Sequence, residues 1–387
     1  MALDGETLEQ LLATVDRFVE ERLRPLEQRV AEEDAIPPEI VEEMRRLGLF
    51  GLSIPEAYGG LGLTLVEEVQ VAFRLGRTSP AFRSLIGTNN GIGSQGLVID
   101  GTEEQRRHYL PRLASGALIG SFCLTEASSG SDAGSLRMTA RAEGENFLLN
   151  GTKRYITNAP EADLFTVFAR TDPATRDARG VTAFLVEADT PGLSLGAHDK
   201  KMGQQGAHTC DVIFEDVRVP GSAIIGGPER LNQGFKTAMK VLDRGRLHIA
   251  AVCVGVAERL IEDSLRYALE REQFGQPIAE FQLIQAMLAD SRTEAYAARC
   301  MVEETARRKD REVPVSTEAA CCKLYATEMV GRVADRAVQI HGGAGYIADY
   351  GIERFYRDVR LFRIYEGTSQ IQQLVIARNM IREARGR

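Results

Sequence analysis

The chain has 387 residues, and its 47 Lys and Arg against 55 Asp and Glu leave a formal net charge of −8. With 44% hydrophobic and 26% charged residues, it has the make-up of a globular protein rather than a disordered one, at a length suited to two or three domains. The acidic balance argues against nucleic acid as the main partner, and no run of about 18 apolar residues is present to span a membrane.

The first residues, MALDGETLEQ, are acidic and begin a helix, unlike a signal peptide or an Arg-rich transit peptide. The six cysteines (Cys123, Cys210, Cys253, Cys300, Cys321 and Cys322) contain no C-x-x-C spacing. Reduced thiols in a cytoplasmic compartment are the expectation. Leu8, Leu11, Leu12, Val15, Phe18, Val19 and Leu23 recur at three- and four-residue steps, one apolar stripe of an amphipathic helix. A second helix is expected from Pro38 to Leu47, followed by an ordered loop at 54–62, IPEAYGGLG.

Near residue 119 the pattern changes to short, partly alternating β-branched and aromatic segments: IGSFCLTE, RMTARAEG, NFLLNGTKRYIT, DLFTVFAR, VTAFLVEA and CDVIFEDVRV. Turn residues separate them, as in an antiparallel barrel or sandwich, with a hairpin over 139–147. After Pro220 long helical patterns return at 232–272, 281–310, 317–341 and 367–385. Helices kept apart from strands make the fold class α+β. The expected architecture is an N-terminal α-helical domain (1–118), a middle antiparallel β-barrel or sandwich domain (119–226) and a C-terminal four-helix bundle (227–387).

Two glycine motifs imitate a dinucleotide fingerprint. Gly91-Ile-Gly93-Ser-Gln-Gly96 fits G-x-G-x-x-G, and Gly343-Ala-Gly345-Tyr-Ile-Ala348 its looser form. Each would need a strand before it and a helix after it, whereas both lie in helical stretches, where glycines serve close contacts and loops. His208-Thr-Cys210 offers two ligand types on one strand face, too few for a metal. No metal site is expected.

Five segments carry chemistry: LTEASSGSD (124–132), KRYITNA (153–159), REQFGQP (271–277), QIHGGAGY (339–346) and RIYEGTSQIQ (363–372). On its own, Glu366 is either a helix-start carboxylate favoured by the dipole or a general base. The order and content of these segments, together with PEAYGGLG, resemble the acyl-CoA dehydrogenase family over nearly the whole chain. That resemblance implies an FAD-dependent enzyme that dehydrogenates an acyl-CoA thioester to a trans-2-enoyl-CoA. Glu366 would take the α-proton and flavin N5 the β-hydride, and electrons would pass to electron-transfer flavoprotein. It also implies a homotetramer built as a dimer of dimers.

By the same likeness, Phe122, Leu124, Thr125, Gly130 and Ser131 lie along the isoalloxazine, with Tyr155, Ile156 and Thr157 over its other face. Many members carry Trp where this chain has Tyr155. Arg271, Gln273 and Phe274 correspond to contacts with the FAD diphosphate and adenosine. Gln282, Gln339, Gly342 and Gly343 continue that site, and Thr368 and Gln370 complete it. Arg271 and Gln339 would reach a neighbouring subunit's cofactor. Ser131, Tyr365 and Gly367 are expected near the substrate. Asp243 and Arg246 match the family's D-x-x-R along the CoA channel; Asp243 would bind a polar group of CoA, and Arg246 either a phosphate or a structural acid, with an intrahelical ion pair between the two as the alternative.

Arg83, in Ala81-Phe82-Arg83-Ser84, aligns with the far wall of the acyl cavity. Straight-chain enzymes place neutral residues there, whereas glutaryl-CoA dehydrogenases and sulfinopropionyl-CoA desulfinases place Arg. Arg83 would bind a terminal carboxylate or sulfinate, or else be satisfied by a protein acid or by solvent. Two rival classes share the fold: an acyl-CoA oxidase, which passes electrons to oxygen, and a non-enzymatic flavoprotein, against which the presence of Glu366 counts.

Overall fold

A computed structural model describes residues 2–386. The chain opens with helices α1 (Gly5–Phe18), α2 (Glu27–Glu33), α3 (Pro38–Arg46), α4 (Leu65–Leu75), α5 (Pro80–Thr88), α6 (Gln95–Asp100) and α7 (Glu103–Ala114). Asp4 caps α1 by accepting from the Thr7 N–H at 2.9 Å. The expected first helix does not run straight to Leu23: it widens into a π turn over Val19–Leu23 ahead of Pro25, which has no N–H to donate to the turn before it. Thr64 and Thr102 begin α4 and α7 with capping boxes, completed by Glu67 and Gln105.

Seven strands follow: β1 (Gly120–Cys123), β2 (Thr139–Glu143), β3 (Asn146–Thr157), β4 (Leu164–Arg170), β5 (Val181–Glu187), β6 (Leu193–Leu195) and β7 (Thr209–Pro220). The hairpin expected over 139–147 joins β2 to β3, with Glu143 opposite Asn146. The sheet is curled and mixed rather than wholly antiparallel. Its order is β1-β4-β2-β3-β7-β6, with β5 on β4, and both β1 and β2 pair with β4 in parallel. The reason lies in residues 124–138: this segment is too long for a tight turn and returns the chain so that β2 runs in the same sense as β1.

The remainder is helical: α8 (Gly234–Glu270), a two-stranded hairpin of β8 (Glu272–Gln273) and β9 (Gln276–Pro277), then α9 (Gln282–Asp310), α10 (Ser316–His341), α11 (Gly343–Tyr346), α12 (Ile352–Val359) and α13 (Ser369–Ala384). Helices α8, α9 and α10 bury one apolar core, and α4 packs its Leu65, Val69, Ala72 and Phe73 into it. Small residues allow that approach: a Cβ on Gly76 would meet the Val252 carbonyl oxygen at 2.5 Å, and one on Gly255 would overlap the Phe73 carbonyl. The first glycine motif lies where the chain kinks between α5 and α6, with Gly91 at φ −90 and ψ −106. There a Cβ on Gly93 would stand 2.8 Å from the Gly120 carbonyl carbon. Gly93 serves close packing against β1, and Gly96 sits against Thr237 and Val241 of α8, with no strand before the motif among the described residues to make a phosphate turn.

Candidate active site

The three regions meet around a cavity of about 820 Å³. Phe122, Leu124, Thr125, Gly130 and Ser131 line it from β1 and the loop after it, and Tyr155, Ile156 and Thr157 from the end of β3. Arg83 enters from α5, Arg246 from α8, and Tyr365, Glu366 and Gly367 from the turn before α13. Residues nearly three hundred positions apart in sequence thus share one enclosure.

Glu366 occupies a left-handed backbone conformation, φ 52, followed by Gly367 at φ 90. For a non-glycine residue this costs free energy and persists only where surrounding contacts enforce it. Here the Lys323 Nζ donates to the Gly367 carbonyl at 2.7 Å. The Gln372 Nε2 donates to the carbonyls of Glu366 and Gly367 at 3.2 and 2.9 Å. Thr368 accepts from the Ile371 N–H and starts α13. The pinned turn sends the carboxyl toward α8, where Gly245 leaves room for it: a Cβ on Gly245 would overlap Oε2 and stand 3.1 Å from Cδ. Glu366 Oε2 is buried without a hydrogen-bond partner. Burial raises the carboxyl's proton affinity above the ordinary value, opposed by the positive charges of Arg83, Lys323 and Arg246. Lys323 itself is pushed down to about 8 by burial, with nearby Cys253 and Glu366 working the other way.

The wall opposite is set by a buried ion pair. Lys153 Nζ donates to Glu126 Oε1 at 2.8 Å and to the Leu124 carbonyl at 3.0 Å. Glu126 also accepts the backbone N–H groups of Arg137 and Met138. Burial works against the charge on Glu126, but Lys153 and these amides outweigh it and hold the carboxyl below its usual range. The β3–β7 register slips between Lys153 and Ile156, and Tyr155 within the slip has φ 58. Such an irregularity re-aims a side chain out of the sheet. Tyr155 remains 60% exposed, with the Arg154 guanidinium 5.0 Å from its ring centroid.

At the inner end, Arg83 is only 6% exposed. Its Nη2 donates to His248 Nδ1 at 2.7 Å, its Nε has no partner, and no carboxylate pairs with it among the described residues. Burial, then the charges of Arg83 and Arg244, hold His248 well below its ordinary pKa, so it is neutral and accepts. Gly87, one turn along α5, makes room for the guanidinium: a Cβ there would stand 2.7 Å from Arg83 Cζ. Asp243 and Arg246 form the intrahelical pair, 2.5 Å apart. Arg246 still lines the cavity, with its Nε unpartnered, and Asp243 does not.

The remaining expected cofactor residues lie elsewhere on this chain. Arg271, Gln273, Phe274, Gln282, Gly342 and Gly343 line a second cavity, of about 1110 Å³, that shares no residue with the first. Phe274 and Gly275 form the turn between β8 and β9 with φ 54 and 81, the two positive values a tight hairpin requires. Phe274 there is 93% exposed. Gln339 is exposed and lines neither cavity, as does Gln370, and Thr368 is engaged as the cap of α13.

The residues present fit a flavin. The reaction cavity offers the exposed aromatic ring of Tyr155, apolar Phe122 and Leu124, the hydroxyls of Thr125, Ser131 and Thr157, and an open main chain at Gly130, beside which an added Cβ would meet nothing within 4 Å. The same open space surrounds Gly342 and Gly343, where the absence of side chains lets a ligand approach the main chain closely; the Gly342 N–H itself donates to the Gln339 carbonyl at 3.1 Å. Sequence reasoning missed Gly245, Gly87, Lys323, His248, Gln372 and the Glu126–Lys153 pair. Only the last carried a signal, since two opposite charges sit inside strand-like apolar segments.

Comparison with known proteins points to one family over nearly the whole chain. The acyl-CoA dehydrogenase N-terminal, middle and C-terminal domain families match residues 5–117, 121–217 and 232–381. Acryloyl-CoA reductase (NADH) of Anaerotignum propionicum is 40% identical over 97% of this chain and 94% of its own length. Mitochondrial short-chain specific acyl-CoA dehydrogenase of Homo sapiens is 40% identical over 98% and 91%, respectively. Butyryl-CoA dehydrogenase from Megasphaera elsdenii superposes with a TM-score of 0.94 at 33% identity, covering 99% of this chain and 100% of that one.

Proposed function

The chain belongs to the acyl-CoA dehydrogenase family, whose members are FAD-dependent oxidoreductases, and from that premise we propose that it interconverts an acyl-CoA thioester and its trans-2-enoyl-CoA with Glu366 as the proton-transferring group. The observation that carries this reading is the Glu366 Oε2 atom, buried in the cavity without a partner. In the dehydrogenating direction the Cα–H bond breaks to give its proton to Glu366. The Cβ–H bond breaks with its electron pair, and the carbon–carbon double bond forms. Bound FAD supplies the two-electron acceptor that no side chain provides.

The side chains prepare this step. Burial raises the carboxyl's proton affinity, the direction that favours taking a proton from a weak carbon acid. The Glu366 N–H makes no hydrogen bond among the described residues and is suited to donate to the thioester carbonyl, where negative charge develops. Phe122 and Leu124, both buried, help to keep water out of the reaction space. Electron-transfer flavoprotein is the acceptor that the family implies. The kinship with a named reductase leaves the physiological direction to experiment.

Anaerobic addition of acyl-CoA thioesters should bleach the bound flavin, and Glu366→Gln should retain FAD and ligand yet lose bleaching by several orders of magnitude. Normal bleaching by that variant would reassign the base. Slow reoxidation by air separates a dehydrogenase from an oxidase. A protein that stays yellow with every thioester is a flavoprotein without this activity.

Arg83 supports a narrower reading, that the substrate ends in an anion. A buried guanidinium with an unpartnered Nε and no protein carboxylate is costly, and a terminal carboxylate or sulfinate on the acyl group would complete it. Dehydrogenation of a glutaryl-type thioester, or expulsion of sulfite from a sulfinopropionyl thioester, are its two chemical forms.

The second cavity fits a cofactor shared between subunits. A chain that separates its flavin-ring residues from Arg271 and its neighbours, and exposes Phe274 beside the latter, is suited to a homotetramer in which one protomer completes its partner's site. Light scattering of the purified holoenzyme tests this.

A further inference from the structure

The cavity has a buried end and an open end. Arg83, Ser84 and Thr88 are buried. Asp132, Asp177 and Arg378, which line the same cavity, are exposed. Two loops form the open end on the sheet side, one over 132–135 and one over 177–178. Neither belongs to a strand, and they approach each other over open surface. A loop pair of this kind needs something to fix it.

A single side chain does so. Arg170, the last residue of β4, donates from Nη2 to the Gly134 carbonyl at 2.9 Å and from Nε to the Leu136 carbonyl at 3.1 Å. Its Nη1 donates to the carbonyls of Thr175 and Asp177 at 3.0 and 2.9 Å, and to Thr175 Oγ1 at 3.2 Å. All three nitrogens of the guanidinium are engaged and none meets a carboxylate. The planar fork spans both loops at once, which the point charge of Lys cannot do. The loops close tightly enough that a Cβ on Gly134 would lie 3.5 Å from Ala178 Cβ.

We infer that Arg170 is a positioning residue for the outer wall of the acyl-CoA cleft, holding the 132–135 and 177–178 loops where the nucleotide part of CoA is gripped, remote from the chemistry at Glu366. This rests on the acyl-CoA reading above. Because the wall lies at the open end, loosening it should weaken the hold on the part of the substrate that extends outward and leave the reacting end alone.

The test compares each acyl-CoA with the same acyl group on pantetheine, which lacks the nucleotide. In Arg170→Gln holoenzyme, KM for acyl-CoA should rise about tenfold, with kcat changed less than about twofold. Kinetics with the acyl-pantetheine should stay within about twofold of wild type. Gly134→Cys with Ala178→Cys in the same background should form a disulfide, since the Cβ separation is compatible with one. Oxidation should then restore the low KM for acyl-CoA and dithiothreitol should raise it again. This reversible arm carries the test if Arg170→Gln alone does not fold. Equal losses on both thioesters, an unchanged acyl-CoA KM, or failure of the cysteines to pair would each overturn the inference. If wild type turns over neither thioester, it is the acyl-CoA reading itself that fails.

Discussion

Gly245 on α8 leaves the space that the Glu366 carboxyl occupies: a Cβ at that position would overlap Oε2 and stand 3.1 Å from Cδ. The clash falls on the far end of a flexible side chain rather than on backbone, so the helix can keep its place while the carboxyl moves. Gly245→Ala should therefore fold and bind FAD like wild type. A base displaced by about an ångström loses on the order of a hundredfold in rate. Anaerobic stopped-flow bleaching measures this loss, and a rate within twofold of wild type would show that the carboxyl is not held against α8.

Arg83 yields a prediction about substrate rather than rate. Its Nη2 is spoken for by neutral His248 and its Nε is free, so an anion on the acyl terminus would find a preformed partner. Arg83→Ala should lower kcat/KM for glutaryl-type thioesters far more than for butyryl-CoA. Truncating one partner of a buried charged pair costs about 2–5 kcal/mol, so the ratio of efficiencies should fall by at least roughly thirtyfold. An unchanged ratio would return Arg83 to a structural role.

Much of this site was legible in the sequence because motif residues carry their chemistry with them. The turn around Glu366, the hydroxyl-rich loop after β1 and the Arg at position 83 all line one cavity. The long helical patterns were equally plain: 281–310 became Gln282–Asp310, since an apolar stripe must face a core. The parallel pairing of β1 with β4 was not legible, because strand direction is decided by the intervening chain and not by alternation within the strand. Gly245 and Gly87 were invisible for a different reason. A glycine that only clears space for a distant side chain has no local pattern, and its meaning exists once α8 and the Glu366 turn are packed together.

Glu126 and Lys153 test how the wall opposite Glu366 is held. The pair is buried, and Lys153 also holds the Leu124 carbonyl. Removing one partner leaves the other charge uncompensated, at a cost of about 3–5 kcal/mol. Lys153→Met should lower the thermal midpoint and release FAD on dilution, since the loop bearing Leu124 and Thr125 loses its tie to β3. The measurements are the melting curve of the holoenzyme and flavin fluorescence in the filtrate. Full retention of FAD at wild-type stability would show that the backbone alone sets the wall.

Asp358 on α12 gives a prediction about pH. It accepts from the Gln204 N–H, and its Oδ2 is buried without a partner. Burial pushes its carboxyl from 3.8 up to about 6, with the Gln204 N–H and then Arg354 and Arg357 pulling the other way. Between those two values the folded chain holds a proton that the unfolded chain has released. Stability from this group is therefore full below about pH 4 and falls as pH rises to about 6, so the wild-type protein carries the whole cost at neutral pH. The shift corresponds to roughly 3 kcal/mol at most. Asparagine keeps an oxygen to accept from Gln204 and never ionises. Asp358→Asn should consequently melt a few degrees higher than wild type at pH 7.5, with the gap closing as pH is lowered through this window. A variant less stable than wild type at pH 7.5 would mean that the carboxylate is ionised and well paired with Arg354 and Arg357, and that burial is not the dominant influence on it.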